Sequence, residues 1–402
     1  MSKPKIRFKG YEEDWEQRKV KEFAIESEVK GHSGKDAKKL TVKLHNKGVY
    51  VADEKIQGSD NTQYYIRRAG QFIYGKQNFF NGAIGIVPKK LDKYESTKDV
   101  PAFDVSSDVN VDWLYYYIAR PEIYKPQEAL CTGTGSKRFH VNNFYNLSLA
   151  IPKMDEQIKI KEYFVHLDNL ITLHQRKCEE TKKLKKYMLQ KMFPQNGKRV
   201  PEIRFVGFTE DWEQRKFGNV TELKSASRVH KEEWTTSGVP FYRSSDVVAA
   251  INGTENEKVY ISEALYEKLS SISGKLEAGD VLVTGGGSVG KPYIVPNNEP
   301  LYTKDADLLW IKNQGKFHPY FLYEFFFTPT FRSYLSSISH VGTIAHYTIT
   351  QLSETPICLP SVGEQQKIGD YFYNIDHLIT LHQRKYEELQ KIKKFMLQNM
   401  FI

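Results

Sequence analysis

Apolar residues recur at alternating steps of four and three along two long stretches of this chain. In the first, the series is Ile160, Phe164, Leu167, Ile171, His174, Cys178, Thr181, Lys185, Met188 and Met192. In the second, it is Ile368, Phe372, Ile375, Ile379, His382, Tyr386, Leu389, Lys393, Met396 and Met400. Such spacing predicts the a/d seam of a coiled coil on two long helices, over 155–193 and 363–401. Each helix would span roughly 55–60 Å at 1.5 Å per residue. Asp155 in one case, and Ser361 with Gly363 in the other, are the candidate N-terminal caps. In one turn the seam carries Lys185 and Lys393, beside Leu184 and Ile392, where an apolar residue would fit better. Between these stretches the pattern changes to short apolar runs broken by Gly and Asn. Strands are predicted over 39–44, 48–52, 71–75, 83–88 and 147–152, and again over 239–247, 280–285, 292–296, 307–312 and 355–360. The aromatic runs at 111–124 and 319–335 predict short helices, the first stopped at Pro121.

The two helical stretches are copies. Residues 155–193 align without a gap on 363–401, with LITLHQRK identical at 170–177 and 378–385. A second duplicated segment precedes each body: PKIRFKGYEEDWEQRK at 4–19 returns as PEIRFVGFTEDWEQRK at 201–216. The heads repeat at an offset of 197 and the helices at 208, so the second body is longer. The chain is therefore an internal duplication of head, variable body and helix. Pro194, Gly197 and Pro201 mark the linker after the first helix. Near-identical frames around divergent bodies suggest one scaffold holding two independently varied readers.

Charge and composition narrow the function. The chain has 402 residues, 40% of them hydrophobic and 27% charged, enough for two or three domains with their own cores. A net charge of +9 favours an anionic partner such as nucleic acid. Cys131, Cys178 and Cys358 are scattered without metal-ligand spacing, which points to a reducing cytoplasm and gives no zinc site. No apolar run is long enough for a membrane span, and the first residues carry no secretory signal. GGGSVGK at 285–291 fits the first part of a P-loop, but Pro292 and a strand-like YIVP follow it in place of Ser/Thr and a helix. A Gly-rich turn between strands is the better reading. TGTGSKRFH at 132–140 lacks the strand–turn–helix context of a dinucleotide or methyl-donor site. No hydrolase, metalloprotease, deaminase or methyltransferase signature occurs, so no catalytic residue and no metal ligand is assigned. His174 and His382 read as polar seam residues that fix helix register.

What remains is binding chemistry, in loops that mix cations, amides and aromatics. In the first body the candidate DNA contacts are Arg67, Arg68, Lys76, Gln77, Asn78, Lys137, Arg138 and His140. In the second they are Arg228, Arg243, Ser244, Ser245, Ser288, Lys291, His346 and Tyr347. Arg, Lys, Gln and Asn reach base edges, while Ser, Thr and backbone N–H groups hold phosphates. A single Lys in such a loop is more often a solvated surface charge, so the reading rests on the paired loops and the basic chain together. Seam and partner-docking candidates are Leu167, Ile171, His174, Met188, Ile375, Ile379, His382 and Met396.

The WEQRK heads after Trp15 and Trp212, the IPKMDEQIKI and LPSVGEQQKI helix starts and the twin LITLHQRK segments carry a family resemblance. NGAIGIVP in the first body, and GVPFYRSSDV and LEAGDVLVTGGGSVGK in the second, add to it. Over essentially its whole length the chain resembles the specificity subunits of type I restriction–modification systems. The resemblance implies an α+β protein: two mixed α/β target recognition domains separated by a pair of long antiparallel coiled-coil helices, with a pseudo-two-fold internal repeat. The corresponding divisions are 1–152, 153–193, 194–360 (linker included) and 361–402. It implies a non-catalytic subunit that reads a bipartite, asymmetric target on double-stranded DNA, one half per domain, with the helices as a ruler. Two methylation subunits would dock on the helices and restriction subunits would join them. S-adenosylmethionine, ATP and Mg would sit on those partners. The first body departs from the pattern, because it lacks clear counterparts of the Y-R-x-x-D and G-D-V-L motifs. Two alternatives stay open on the residues alone: a single-chain DNA methyltransferase or nuclease with an unrecognised site, and a coiled-coil scaffold.

Overall fold

A computed structural model describes residues 3–53, 58–133, 136–195, 197–304, 307–338 and 346–402. The chain divides into two compact units, one built from 1–174 with 384–402 and the other from 175–383. Each unit thus takes its head and body from one half of the sequence and one helix end from the other half. The two long helices run Met154–Lys191 and Val362–Asn399. None of the twenty seam positions is exposed, which is what a 4,3 spacing demands of packed helices. Ser361 immediately precedes the second helix, and its hydroxyl accepts from Glu364 N at 3.4 Å. Asp155 lies inside the first turn of the first helix and is not its cap. It still favours that end by opposing the helix dipole. Gly369 is the one glycine well inside either helix, and a Cβ there would collide with the ring of His318.

In the first unit a four-stranded antiparallel sheet has the order Ala24–Glu26, Ala102–Val105, Phe72–Tyr74, Ile84–Ile86. The head strand Glu16–Lys19 pairs with Ser148–Ile151, the strand that leads into the long helix. The predicted helix runs Val111–Ile118 and ends before Pro121, and Pro121 opens a second short helix, Pro121–Tyr124. An aromatic core of Trp15, Trp113, Tyr117 and Phe164 is closed by Phe401 from the end of the second helix.

The second unit repeats this plan. Its four-stranded sheet has the matching order Leu223–Ser225, Leu308–Ile311, Val281–Thr284, Pro292–Ile294. Head strand Glu213–Lys216 pairs with Pro356–Leu359. Phe193, from the end of the first helix, closes the core of Trp212, Phe321 and Phe372. The aromatic run at 319–335 again forms two helices, Pro319–Phe325 and Pro329–Ile338. What differs between the units is the inserted sheet. The first carries a three-stranded and a two-stranded sheet between 30 and 96, and the second a four-stranded one between 234 and 303. One predicted strand fails in part: 239–247 is strand only to Tyr242, and a helix starts at Ser244, where Asp246 accepts from Arg243 N at 2.8 Å.

Buried ion pairs repeat with the frame. Arg7 Nε and Nη2 grip Glu156 at 2.7 and 2.8 Å, and Arg204 grips Glu364 at 2.6 and 2.7 Å. Each ties a head to the first turn of a long helix. The out-of-place seam lysines are explained the same way. Lys393 Nζ lies 2.5 Å from Asp168, which also accepts from Tyr116 Oη at 2.7 Å. Lys185 Nζ lies 2.6 Å from Asp376, which accepts from Tyr320 Oη at 2.8 Å. In each unit, therefore, the start of one helix and the end of the other run antiparallel and are pinned by a charge-assisted contact.

One position breaks the symmetry. Four residues past the tyrosine, the first unit has Arg120 and the second Glu324. Glu324 is fully buried, 2.8 Å from Lys185 Nζ, yet among the described residues neither carboxyl oxygen has a partner in hydrogen-bonding geometry. Burial pushes its carboxyl from 4.5 up to about 8, and Lys185 offsets this only in part. A raised carboxyl holds a proton that the unfolded chain releases, so it favours the folded state at low pH and loses that effect as pH climbs.

Two outcomes are expected. Arg204→Ala leaves Glu364 buried and unpaired, and should destabilise the chain by about 3 kcal/mol in urea unfolding. Glu324→Gln should flatten the decline in unfolding midpoint that the native chain shows between about pH 5 and pH 8.

Candidate nucleic-acid interface

Both units tie their loops together with one hydrogen-bond pattern at the end of the four-stranded sheet. In the first unit Lys76 N donates to Asp99 O and Phe139 N donates to Lys76 O, each at 2.8 Å. In the second, Gly285 N donates to Asp307 O and Tyr347 N donates to Gly285 O, again at 2.8 Å. Phe139 and Tyr347 are buried anchors, and the helix alignment at an offset of 208 places them at equivalent positions. The residue before each anchor, Arg138 or His346, reaches the surface beside the aspartate. Arg138 Nε pairs with Asp99 Oδ1 at 3.2 Å. His346 is exposed, and a Cβ on Gly286 would lie 3.1 Å from Asp307 Oδ1 and 3.9 Å from His346 Nδ1. A side chain there would oblige the Asp307 carboxylate to shift by a few tenths of an ångström.

The second unit converges further. Ser244 Oγ donates to Asp307 O at 2.8 Å, and Lys304 forms an ion pair with the Asp307 carboxylate. Three of the sequence-derived loops, around 243, 285 and 346, thus meet at Asp307. Ser245 is exposed and accepts from Asn256 Nδ2 at 3.1 Å; Ser288 is exposed at the hairpin. Arg228 is exposed in a separate loop. In the first unit the loops around 76 and 138 meet at Asp99. Gln77 is exposed, while Asn78 is half-buried and accepts from Asn81 at 3.1 Å. Burial lowers the Lys76 ammonium, with Glu26 and Asp99 opposing the shift. Lys137 pairs with Glu128 at 2.8 Å, and His140 contacts Thr132 Oγ1 at 3.1 Å, both near the surface. Arg68 is exposed but lies in the turn that leads into strand Phe72–Tyr74.

Three of the residues read as DNA contacts are committed to bonds within the protein, and two of them, Arg67 and Tyr347, are buried. Arg67 is 1% exposed, and its guanidinium donates to Ser96 Oγ, Ser27 O, Val100 O and Thr97 O. Burial pulls it down to about 10. Tyr347 is 1% exposed, with its hydroxyl 2.5 Å from Thr355 Oγ1, and burial raises it. Arg243 is half-buried and committed to Asp246 at 2.9 Å and to Glu257 O at 2.5 Å. Alternation within a loop shows which side chains are polar, not which face the core, so periodicity could not separate these three. Asp99, Asp307 and Lys304 escaped the sequence reading; their only signal was an acidic residue just before a core strand.

Residues 209–391 match the family model for the type I restriction modification DNA specificity domain. The MjaVIII type I restriction enzyme specificity subunit of Methanocaldococcus jannaschii is 24% identical over 366 residues, covering 88% of this chain and 79% of that protein. The MjaIX specificity subunit of the same organism is 29% identical over 198 residues, 48% of this chain and 44% of the relative. Over most of its length the chain is similar to type I restriction–modification specificity subunits. The fold of a solved member agrees: the S subunit of a type I system from M. genitalium superposes with a TM-score of 0.60 at 12% identity, over 100% of this chain and 99% of that one. A chain from a type I restriction–modification system solved for its complex assembly and conformational transition gives 0.51 at 16%, over 97% and 98%. Among the described residues of this chain no helix is long and apolar enough to cross a membrane.

Arg67→Ala should therefore act on folding, costing about 3 kcal/mol by chemical denaturation through four stranded acceptors. The DNA sequence methylated in its presence should stay the same.

Proposed function

We propose that each unit reads one half of a bipartite, asymmetric target on double-stranded DNA, through the loops gathered at Asp99 and at Asp307. The observation that carries this is a common hydrogen-bonded framework that presents different side chains in the two units: Arg138 with Lys76 in one, His346 with Ser244 in the other. A scaffold that fixes loop geometry while its outward residues vary is suited to reading two unrelated half-sites. Type I specificity subunits bind DNA and assemble with other subunits.

In this reading the chain makes no bond itself. Two methylation subunits dock on the paired long helices, restriction subunits join them in the cytoplasm, and S-adenosylmethionine, ATP and Mg are bound by those partners. The helices set the spacer. The target recognition domains are 1–152 and 194–360, with the spacer helices at 153–193 and 361–402.

The test is methylome sequencing of a host carrying this chain with its methylation partner. Arg138→Ala should alter only one half-site and His346→Ala only the other. Lengthening both helices by one turn should change the spacer and neither half-site. Sequence-specific methylation by the partner alone would defeat the proposal.

A further inference from the structure

The Gly-rich hairpin that resembled a P-loop joins strands Val281–Thr284 and Pro292–Ile294, so no helix follows it. It is held shut from within. Thr284 Oγ1 donates to Ser288 O at 2.5 Å and accepts from Lys291 N at 2.8 Å, and Gly290 N donates to Thr284 O at 2.8 Å. Gly287 and Gly290 take φ of +67° and +70°, a conformation that a β-carbon opposes. From behind, Arg332 on helix Pro329–Ile338 donates Nη1 to Val289 O at 3.2 Å and Nη2 to Gly290 O at 2.9 Å.

This closure gathers cations. Lys291 Nζ and Arg332 Cζ lie 5.5 and 5.7 Å from the centroid of the Phe327 ring, and Lys185 Nζ lies 5.7 Å from it. Lys185 is matched by Asp376 and Glu324. Lys291 and Arg332 are not matched: among the described residues no acidic group acts on either. Burial lowers both, and Arg332 lowers Lys291 further. Two half-buried, mutually repelling cations with no carboxylate are costly unless an anion completes them.

Resting on the DNA-reading function above, we infer that Lys291, backed by Arg332 and the closed hairpin, is a phosphate-binding site that takes a backbone phosphodiester of the target DNA. The hairpin root favours DNA over a free anion as the source of that phosphate. Lys291 pairs with Thr284 across the hairpin, and the next residue, Gly285, is bonded to Asp307 and Tyr347 in the reading cluster. Among the described residues the first unit has no matching pair of cations: at the offset of 208 that aligns the helices, Ala83 and Tyr124 stand where Lys291 and Arg332 do. The site would therefore hold one end of the target by charge alone, positioning the duplex for His346 and Ser244.

The experiment measures DNA affinity of the complex reconstituted with its methylation partner across a salt series, together with the methylated sequence. Lys291→Gln should reduce the slope of log affinity on log salt by about 0.9, the value for one phosphate, with both half-sites unchanged. Lys291→Arg should keep the native slope. An unchanged slope in Lys291→Gln, with specific methylation intact, would overturn the site. An altered half-site would overturn it too, in favour of base contact. A thermal shift of the native complex by inorganic phosphate at constant ionic strength, absent in Lys291→Gln, together with an unchanged DNA slope, would assign the site to a free anion instead. Failure of the native complex to methylate any specific sequence would count against the reading function, and would be seen before any variant is made.

Discussion

The aromatic closure at Phe401 and Phe193 is the constraint from which the architecture follows. Each ring belongs, by sequence, to the helix of one half, and packs in the core of the unit built from the other half's head and body. Burying a phenylalanine contributes roughly 2–3 kcal/mol by area alone. Trp15, Trp113 and Tyr117 around one ring, and Trp212 and Phe321 around the other, add edge and stacking contacts. Neither core is complete until the far end of the other helix arrives. The duplicated halves are therefore obliged to exchange helix ends.

Once those ends are in place, the charged contacts set the register. A seam lysine is a poor core residue, but Lys185 and Lys393 each meet an aspartate that also accepts from a tyrosine. Burial, helped by the neighbouring carboxylate, keeps Tyr116 and Tyr320 protonated as donors. A slip of one turn would strand both lysines in the seam. Arg7–Glu156 and Arg204–Glu364 do the same for the heads. The frame is thus specified by paired charge as well as by apolar area, and Glu324 makes the second unit's version more sensitive to pH than the first's.

A repeated frame leaves the loop clusters free to differ. The four-stranded sheet keeps its strand order in both units, and its end always presents an aspartate carbonyl, a strand-end amide and a buried aromatic. The side chains beside that knot, and the whole inserted sheet, have diverged. Function lies in those side chains, and stability lies in the backbone pattern underneath them.

The duplication, the two long helices and their seam were legible in the sequence, because a 4,3 apolar period and an ungapped repeat are local properties of the chain. About half of the strands were legible for the same reason, but Ala24–Glu26, Ala102–Val105 and Leu223–Ser225 of the four-stranded sheets were not, nor were the head strands Glu16–Lys19 and Glu213–Lys216: their residues are largely exposed and polar, and they are strands only because Ser148–Ile151 and Pro356–Leu359 lie beside them. The reading loops were found as loops, yet their membership was decided in three dimensions. Arg67, Arg243 and Tyr347 look like contacts in a linear reading and prove to be committed to bonds within the protein, since burial depends on what packs around a side chain from distant sequence. Asp99 and Asp307 carry no motif at all and become the centres of their clusters only through backbone bonds to residues more than 20 positions away. Local pattern determined the frame; long-range packing decided which side chains it offers.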